Sequence, residues 1–164
     1  MAQLPSTRGP DLILDPLAFP FVAFNFRVEI TVPGIPNVCN AAFSECDGLE
    51  LTHDIKTVRE GGNNYAQIRM TGTTSFGNLT LKRGMTSSFH LWDWFQAVQD
   101  DPRVRAHGEV VVLAENRNTV RARFILDRLL PLKLKAPPLN AKDGIVAVEE
   151  LQVAYESLRL KRPA

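Results

Sequence analysis

The sequence predicts a mainly β protein, an antiparallel β-barrel or sandwich with one α-helix packed outside it. Apolar and polar residues alternate in seven or eight short segments, as they do in strands with one buried face. Turn-forming pairs such as Pro33-Gly34 and Asp47-Gly48 separate several of these segments. Only residues 87–99 repeat their apolar positions at helical spacing. Many strands with a single helix fit these two architectures.

The composition is that of one ordinary globular domain. The chain has 164 residues, of which 45% are hydrophobic and 23% charged, enough to bury a sizeable core. Its 19 basic and 18 acidic residues give a net charge of +1, which argues against a nucleic-acid binder that relies on a broad basic surface. Residues 1–20 carry four prolines and no sustained period, so we predict an extended N-terminal arm there and a single domain over residues 21–160.

The N-terminal region and the cysteines indicate where the chain folds. The first residues have neither the basic start nor the continuous apolar run of a secretory signal. No window reaches the ~18 consecutive apolar residues of a membrane span. We therefore expect a protein of the cytoplasm with no membrane span. Cys39 and Cys46 are the two cysteines, and we expect both as reduced, partly buried thiols.

The clearest strand pattern lies within residues 21–32. One face of this strand is apolar and the other is polar. The apolar residues are Phe24, Phe26, Val28, Ile30 and Val32. Pro33-Gly34 predicts a turn at its end, and a weaker strand is predicted over residues 40–45.

A long hairpin is predicted on either side of residues 59–64. Its first strand alternates from Leu49 to Lys56, and its second strand covers residues 65–70. The connecting sequence, Arg-Glu-Gly-Gly-Asn-Asn, is longer than the two residues that a tight hairpin needs. It is either a flexible surface turn or a protruding arm that reaches a neighbouring subunit, with its glycines permitting close backbone approach.

Five further strands are predicted after the hairpin. Residues 109–114 and 119–126 bracket a second hairpin turn, Asn116-Arg117-Asn118. Leu79 and Leu81 are expected to face inward from their strand. The predicted strands cover residues 78–82, 109–114, 119–126, 130–135 and 145–158.

The helix predicted over residues 87–99 carries an aromatic cluster. Thr86, Ser87 or Ser88 can cap its N-terminus through a side-chain oxygen. Trp94 lies off the apolar stripe, so it is either a packing residue or an interface residue, and His90 is expected in solvent. The stripe consists of Leu91, Trp92, Phe95 and Val98.

No catalytic or metal-binding constellation is visible in the sequence. His53, His90 and His107 stand in no HExxH or comparable ligand pair. His53 is interpreted as a structural residue on an apolar strand face, and His107 as a loop residue before Gly108. A GxSxG nucleophile elbow and a phosphate-binding loop are absent as well. We therefore predict no enzyme activity, no metal and no cofactor.

Short motifs in a fixed order along residues 15–158 resemble a known family. In this order they resemble the tail tube proteins of contractile phages and the inner tube proteins of phage-tail-like contractile injection systems. The fourth and fifth motifs are the most specific. The motifs are Asp15-Pro16 with Phe24-Asn25-Phe26-Arg27-Val28-Glu29, Phe43-Ser44-Glu45, Gly48-Leu49-Glu50, Arg59-Glu60-Gly61-Gly62-Asn63, Gly77-Asn78-Leu79-Thr80-Leu81-Lys82-Arg83-Gly84, Leu91-Trp92-Asp93-Trp94, Leu139-Asn140-Ala141, Val148-Glu149-Glu150-Leu151 and Tyr155-Glu156.

The resemblance implies an assembly made in the bacterial cytoplasm. Six subunits would form a ring with one continuous inner β-barrel, and rings would stack into a hollow tube inside a contractile sheath. The implied partners are further copies, the sheath protein, baseplate or tube-initiator and cap proteins, and cargo protein or DNA in the lumen.

The same resemblance suggests where the contacts lie. The helix, with Trp94 and His90, would face outward near the sheath. The residues expected at ring stacking and at the subunit interface are Glu50, Arg59, Glu60, Gly61, Gly62, Asn63 and Asn64.

The alternative interpretation of the chain is a monomeric small-ligand-binding β-barrel protein.

Overall fold

The computed structural model describes residues 25–41, 43–59, 61–62, 65–139, 142 and 146–162. The predicted N-terminal arm over residues 1–20 and Phe24 lie outside these ranges. Within them the chain forms ten strands and one helix. The strands are β1 (Phe26–Val32), β2 (Ile35–Ala41), β3 (Glu45–Asp47), β4 (Leu51–Val58), β5 (Ile68–Phe76), β6 (Asn78–Gly84), β7 (Ala106–Leu113), β8 (Val120–Lys135), β9 (Val148–Ala154) and β10 (Ser157–Lys161), and the helix is α1 (His90–Asp100).

Eight of the strands form one antiparallel sheet. Their order is β2-β1-β7-β8-β9-β6-β3, and β10 pairs with β8. The first part of β8 pairs with β7 and β10, whereas Leu130–Lys135 pairs with β9. The β7–β8 register shifts beside Arg128, whose φ is 56°, and such bulges bend a strand. The described strands do not close into a barrel, so the observed form is an open, bent sheet; β4 and β5 pair only with each other.

The core lies on one face of this sheet and under α1. The inward face predicted for β1 is confirmed, because Val28, Ile30 and Val32 are buried. Leu79 and Leu81 on β6 are fully buried, as predicted. The same cluster contains Leu151 and Val153 of β9, Leu126 and Leu129 of β8, and Leu91 and Trp94 of α1.

The helix differs from its prediction in its start and in its buried face. It begins at His90, and its N-cap residue, Phe89, makes no side-chain capping hydrogen bond. The prediction of a cap at Thr86, Ser87 or Ser88 is therefore wrong. Trp94 is 0% exposed, whereas Trp92 is 40% exposed. The placement of Trp94 on the outer helix surface is also wrong. The helix packs on β2 and β8, and the face that it buries carries Leu91 and Trp94, which are three positions apart.

Three strand predictions also required correction. The strand predicted over residues 40–45 is instead the end of β2 and the beginning of β3. Residues 130–135 are not a separate strand but the continuation of β8. The strand predicted over residues 145–158 is divided at Tyr155-Glu156 into β9 and β10, which both pair with β8. Both predicted hairpins are confirmed, with β5 extending to Phe76.

Candidate functional site

The most distinctive surface is the hairpin of β4 and β5, which we call the arm (residues 51–76). The two strands pair with each other and with no other described strand. Every residue of β4 is exposed, and so are all residues of β5 except Gly72 and Phe76. Several exposed side chains are large and apolar, namely Leu51, Ile55, Val58, Ile68 and Met70. A hairpin that exposes apolar side chains to water on both strands is typical of a surface that another protein covers.

The base of the arm is fixed to the core by Tyr155. Its phenol hydroxyl donates a hydrogen bond to the Gly48 carbonyl (2.8 Å), with the Glu50 carbonyl 3.1 Å away. It also accepts a hydrogen bond from the Glu50 N–H at 3.0 Å. The ring of Tyr155 lies 5.7 Å from that of Phe76, measured between centroids, and is tilted by 54°. One buried side chain therefore contacts the chain on both sides of the arm.

Close backbone packing adds to this attachment. Gly48 has a φ of +93°, and a Cβ at this position would lie 2.0 Å from the Asn78 carbonyl oxygen. A Cβ at Gly77 would lie 3.2 Å from the Gly48 carbonyl oxygen, and the Gly77 N–H donates to the Glu50 carbonyl. Only glycine fits the first position without displacing backbone. The arm is therefore held at its base and uncovered beyond it.

The predicted ring-stacking residues are divided between the two ends of the arm. Arg59, Gly61 and Gly62 lie at its tip and are exposed. Glu50 lies at its base, about nine strand residues or roughly 25–30 Å from the tip, so the structure does not bring it together with them. Glu60, Asn63 and Asn64 lie outside the described residues. His53 is exposed on the arm, where its Nδ1 lies 3.0 Å from the Thr74 hydroxyl.

The outer surface of α1 is formed by Trp92 and its neighbours, with Trp94 beneath them. His90 lies at the first turn, with its Nδ1 3.7 Å from the Asp93 carboxylate. A shallow cleft of about 240 Å³ opens where α1 meets the end of β8. Trp92, Phe95, Gln96, Gln99 and Leu134 line this cleft.

The polar face of β1, β7, β8 and β10 carries charges in pairs. Arg27 contacts Glu29, and Arg123 contacts Glu109, both at 2.7 Å. Asp127 contacts both His107 and Arg159. The Arg159 and His107 hydrogen bonds hold the pKa of the Asp127 carboxyl below its usual range. His107, interpreted as a loop residue, lies within β7. The pairing of these charges gives the face a mixed charge.

A buried ion pair joins β6 and β9 and was not foreseen from the sequence. Arg83 and Glu149 are register partners, and both are nearly inaccessible to solvent. The guanidinium Nε of Arg83 donates to the Glu149 carboxylate, and its NH2 group donates to the Ser88 carbonyl. The arginine also lies over the Phe43 ring, 6.0 Å from its centroid. The sequence could have indicated this ion pair only if β6 and β9 had been known to be neighbouring strands.

The described residues offer no evident reactive centre. Their His, Cys, Asp and Glu side chains form no group of three or more that could hold a metal ion. Burial, together with nearby Asp47, raises the pKa of the Cys46 thiol to about 11. In the described part of the chain, no helix has the length and apolar character needed to cross a membrane. What the geometry provides is an arm that is anchored to the sheet at its base and uncovered beyond it.

Comparison with known proteins identifies the class to which this arrangement belongs. The chain belongs to the T4-like virus tail tube protein gp19 family, whose sequence profile matches residues 22–159. A search of curated proteins gives no significant match.

Several solved structures share the fold. A chain in the anti-feeding prophage baseplate is 24% identical and has a TM-score of 0.78, covering 89% of this chain and 98% of that one. A chain in the sheath-tube complex of the extracellular contractile injection system PVC is 18% identical with a TM-score of 0.77, covering 90% and 95%. A chain in the anti-feeding prophage cap is 20% identical with a TM-score of 0.76, covering 93% and 99%. The predicted tail-tube fold and family are thereby confirmed.

Proposed function

We propose that this protein is the structural inner tube subunit of a phage tail or contractile injection system, and that it acts without catalysis. Membership of the tail tube family supports the first part of the proposal. The single observation that carries the assembly role is the arm, whose two strands expose apolar side chains and pair with no other described strand. The small-ligand-binding barrel finds no support, because the described strands form an open sheet.

The quaternary structure that fits this subunit is a six-membered ring that stacks into a tube. An open sheet exposes strand edges, and pairing them between neighbouring subunits removes the hazard of uncontrolled association. The outer edges of β2 and β3, at the two ends of the strand order, are available for this pairing. The paired charges on the polar sheet face suit an aqueous bore, through which DNA or protein cargo would pass.

The contacts along the tube axis are assigned to the arm. Its tip, with Arg59, Gly61 and Gly62, is placed at the neighbouring ring together with Glu60, Asn63 and Asn64. Glu50 belongs to the arm base, where its N–H donates a hydrogen bond to the Tyr155 hydroxyl, so it is not a tip contact. The outer surface of α1, with Trp92 and His90, is placed toward the sheath. Baseplate and cap proteins would occupy the two ends of the tube, and assembly would take place in the bacterial cytoplasm.

Electron microscopy of the purified protein tests the proposal directly. We expect rings or tubes about 10 nm wide, roughly twice a domain of this size plus a bore. A species that stays monomeric at high concentration, even with baseplate proteins present, would contradict the proposed function.

A double variant, Arg59→Ala with Glu60→Ala, tests the position of the contact. We expect the melting temperature to stay unchanged while ring stacking weakens, because changes at a loop tip rarely affect the core. Lys161→Ala, at an exposed position on β10, is the matched control and should stack normally. Unfolding of the double variant would show that the tip is core structure.

A further inference from the structure

The arm has apolar patches on opposite faces at its base and near its tip. In an antiparallel ladder, paired residues point to the same face, and alternate residues share a face. Leu51 pairs with Phe76, and Ile55 pairs with Thr71, so Leu51, Ile55 and Phe76 lie on one face. We call Leu51 and Ile55 the base patch. Both are exposed by more than half.

The second patch lies on the other face and further out. Val58 pairs with Ile68, and Met70 pairs with Lys56, so Val58, Ile68 and Met70 share the face opposite Ile55. We call these three residues the tip patch. All three are exposed. Behind the tip patch, on the face of the base patch, stand Thr57 and Arg69.

An irregularity in β5 produces this exchange of faces. Between the pairs His53–Thr74 and Ile55–Thr71, β5 contains one residue more than β4. Gly72 lies beside Asp54 at this point, where an added Cβ would be 2.9 Å from the Asp54 carbonyl oxygen. The extra residue changes the phase of alternation. Phe76 and Met70 therefore point to opposite faces although their spacing is even.

We propose that the arm is gripped on its two faces by two different copies of this chain, one covering the base patch and the other the tip patch. This inference rests on the proposed tube assembly. The two patches lie on opposite faces of the ribbon, so one flat partner surface cannot cover both. The contacts of Tyr155, Gly48 and Gly77 fix the orientation of the arm at its base.

The size of the arm indicates that its contacts are repeated within an assembly. Eight strand residues span about 26 Å, and a two-stranded ribbon is about 10 Å wide, so one face offers roughly 260 Å² of projected area. A stable protein–protein contact buries about 800 Å² on each partner. A single face is therefore too small to hold a pair of subunits, whereas a ring stack surrounds each arm with copies and repeats the contact.

Site-specific photo-cross-linking in assembled tubes tests the two-copy arrangement. A photo-reactive amino acid replaces Ile55 in one variant and Met70 in another, and each variant is assembled with isotope-labelled wild-type subunits. We expect each position to cross-link to a labelled copy, at two peptides that do not overlap. Cross-links from both positions to the same peptide, or only within one subunit, would overturn the inference.

Assembly measurements with matched controls provide a second test. Ile55→Ser and Ile68→Ser should each raise the protein concentration needed for assembly at least about tenfold, because each removes apolar area that one contact would bury. Thr52→Ser and Thr57→Ser, at polar positions opposite the base and tip patches, should change it less than about twofold.

The stage at which assembly stops separates the two contacts. We expect sedimentation and electron microscopy to find the Ile55→Ser and Ile68→Ser variants arrested in different species, for example free subunits in one and unstacked rings in the other. Arrest of both variants in the same species would contradict the inference of two distinct partners. It would not contradict the proposed function as a tube subunit. A wild-type protein that never assembles would instead contradict the proposed function itself.

Discussion

The sheet body and the arm use the same kind of strand for opposite purposes. Leu81 on β6 is 0% exposed, whereas Ile55 on β4 is 63% exposed, although both are aliphatic residues in alternating strands. In the body, the apolar face is covered by the helix and by neighbouring strands, so folding of one chain satisfies it. In the arm, nothing within the described chain covers it. The difference teaches that this fold separates what stabilises a subunit from what joins subunits.

The largest effect is expected at the buried ion pair of the body. Arg83→Met leaves the Glu149 carboxylate buried without its partner, which typically costs about 3–5 kcal/mol. We expect a loss of this size in the free energy of unfolding, measured by urea denaturation. Lys82→Met, at the neighbouring exposed pair with Glu45, is the control and should change stability little.

The corresponding double variant sharpens this test. Arg83→Met combined with Glu149→Leu removes both charges and should recover much of the lost stability. If Arg83→Met alone unfolds as easily as the Lys82→Met control, the pair does not contribute to the stability of the body.

Truncation of matched aliphatic residues tests the comparison itself. Leu81→Ala should cost about 2–5 kcal/mol of unfolding free energy, because it leaves a cavity in the core. Ile55→Ala should leave the melting temperature of the free subunit nearly unchanged and weaken assembly instead. Thermal denaturation and sedimentation measure the two effects separately. Equal destabilisation by the two variants would mean that the arm is covered within the subunit.

The Tyr155 hydroxyl connects the two regions and gives an intermediate effect. Tyr155→Phe keeps the ring against Phe76 but removes hydrogen bonds to Gly48 and Glu50, a loss of about 1–2 kcal/mol. We expect faster hydrogen exchange in β4 and β5, with little change in β7 and β8. Uniformly faster exchange across the sheet would assign Tyr155 to the stability of the body alone.

The effect that is smallest near neutral pH concerns Cys46, and it grows as the pH rises. Burial raises the pKa of the thiol to about 11, from an ordinary value of 9.0. The unfolded chain therefore ionises first as pH rises, and the stability contribution is present below about pH 9 and lost as pH approaches 11. Compared with Cys46→Ala, the wild-type protein should lose more unfolding free energy between pH 8 and pH 10.5. Equal losses in the two proteins would contradict the shift.

The same raised pKa predicts slow chemical labelling. A thiol reagent at pH 8 should modify Cys46 in the folded protein much more slowly than in urea, since the thiolate is the reactive form.

Alternation in the sequence predicted the body well wherever one strand face is buried. Leu79 with Leu81 and Leu151 with Val153 show this. It missed β2, because Ile35–Ala41 has no alternating pattern and becomes a strand by pairing with β1. Pro36 is tolerated there because β2 is an edge strand. Tertiary pairing thus overrode the local pattern.

The candidate site was predicted in position but not in character. The long hairpin and its polar tip were visible in the sequence, whereas the exposure of nearly all its residues was not, because a strand that becomes covered only in an assembly alternates like one covered within its own subunit. The burial of Trp94 depended on which side of α1 meets the sheet, and an apolar stripe broad enough to include Trp92 could not decide it.

The Tyr155 contact also makes arm orientation a property of the completed chain. Its hydroxyl reaches a residue 105 positions earlier in sequence, and contacts of such separation form late because a long loop must close first. During synthesis, β4 and β5 can pair as soon as both have emerged, but their direction relative to the body stays unset until β9 is in place. A subunit therefore becomes competent to assemble only after its own sheet is finished.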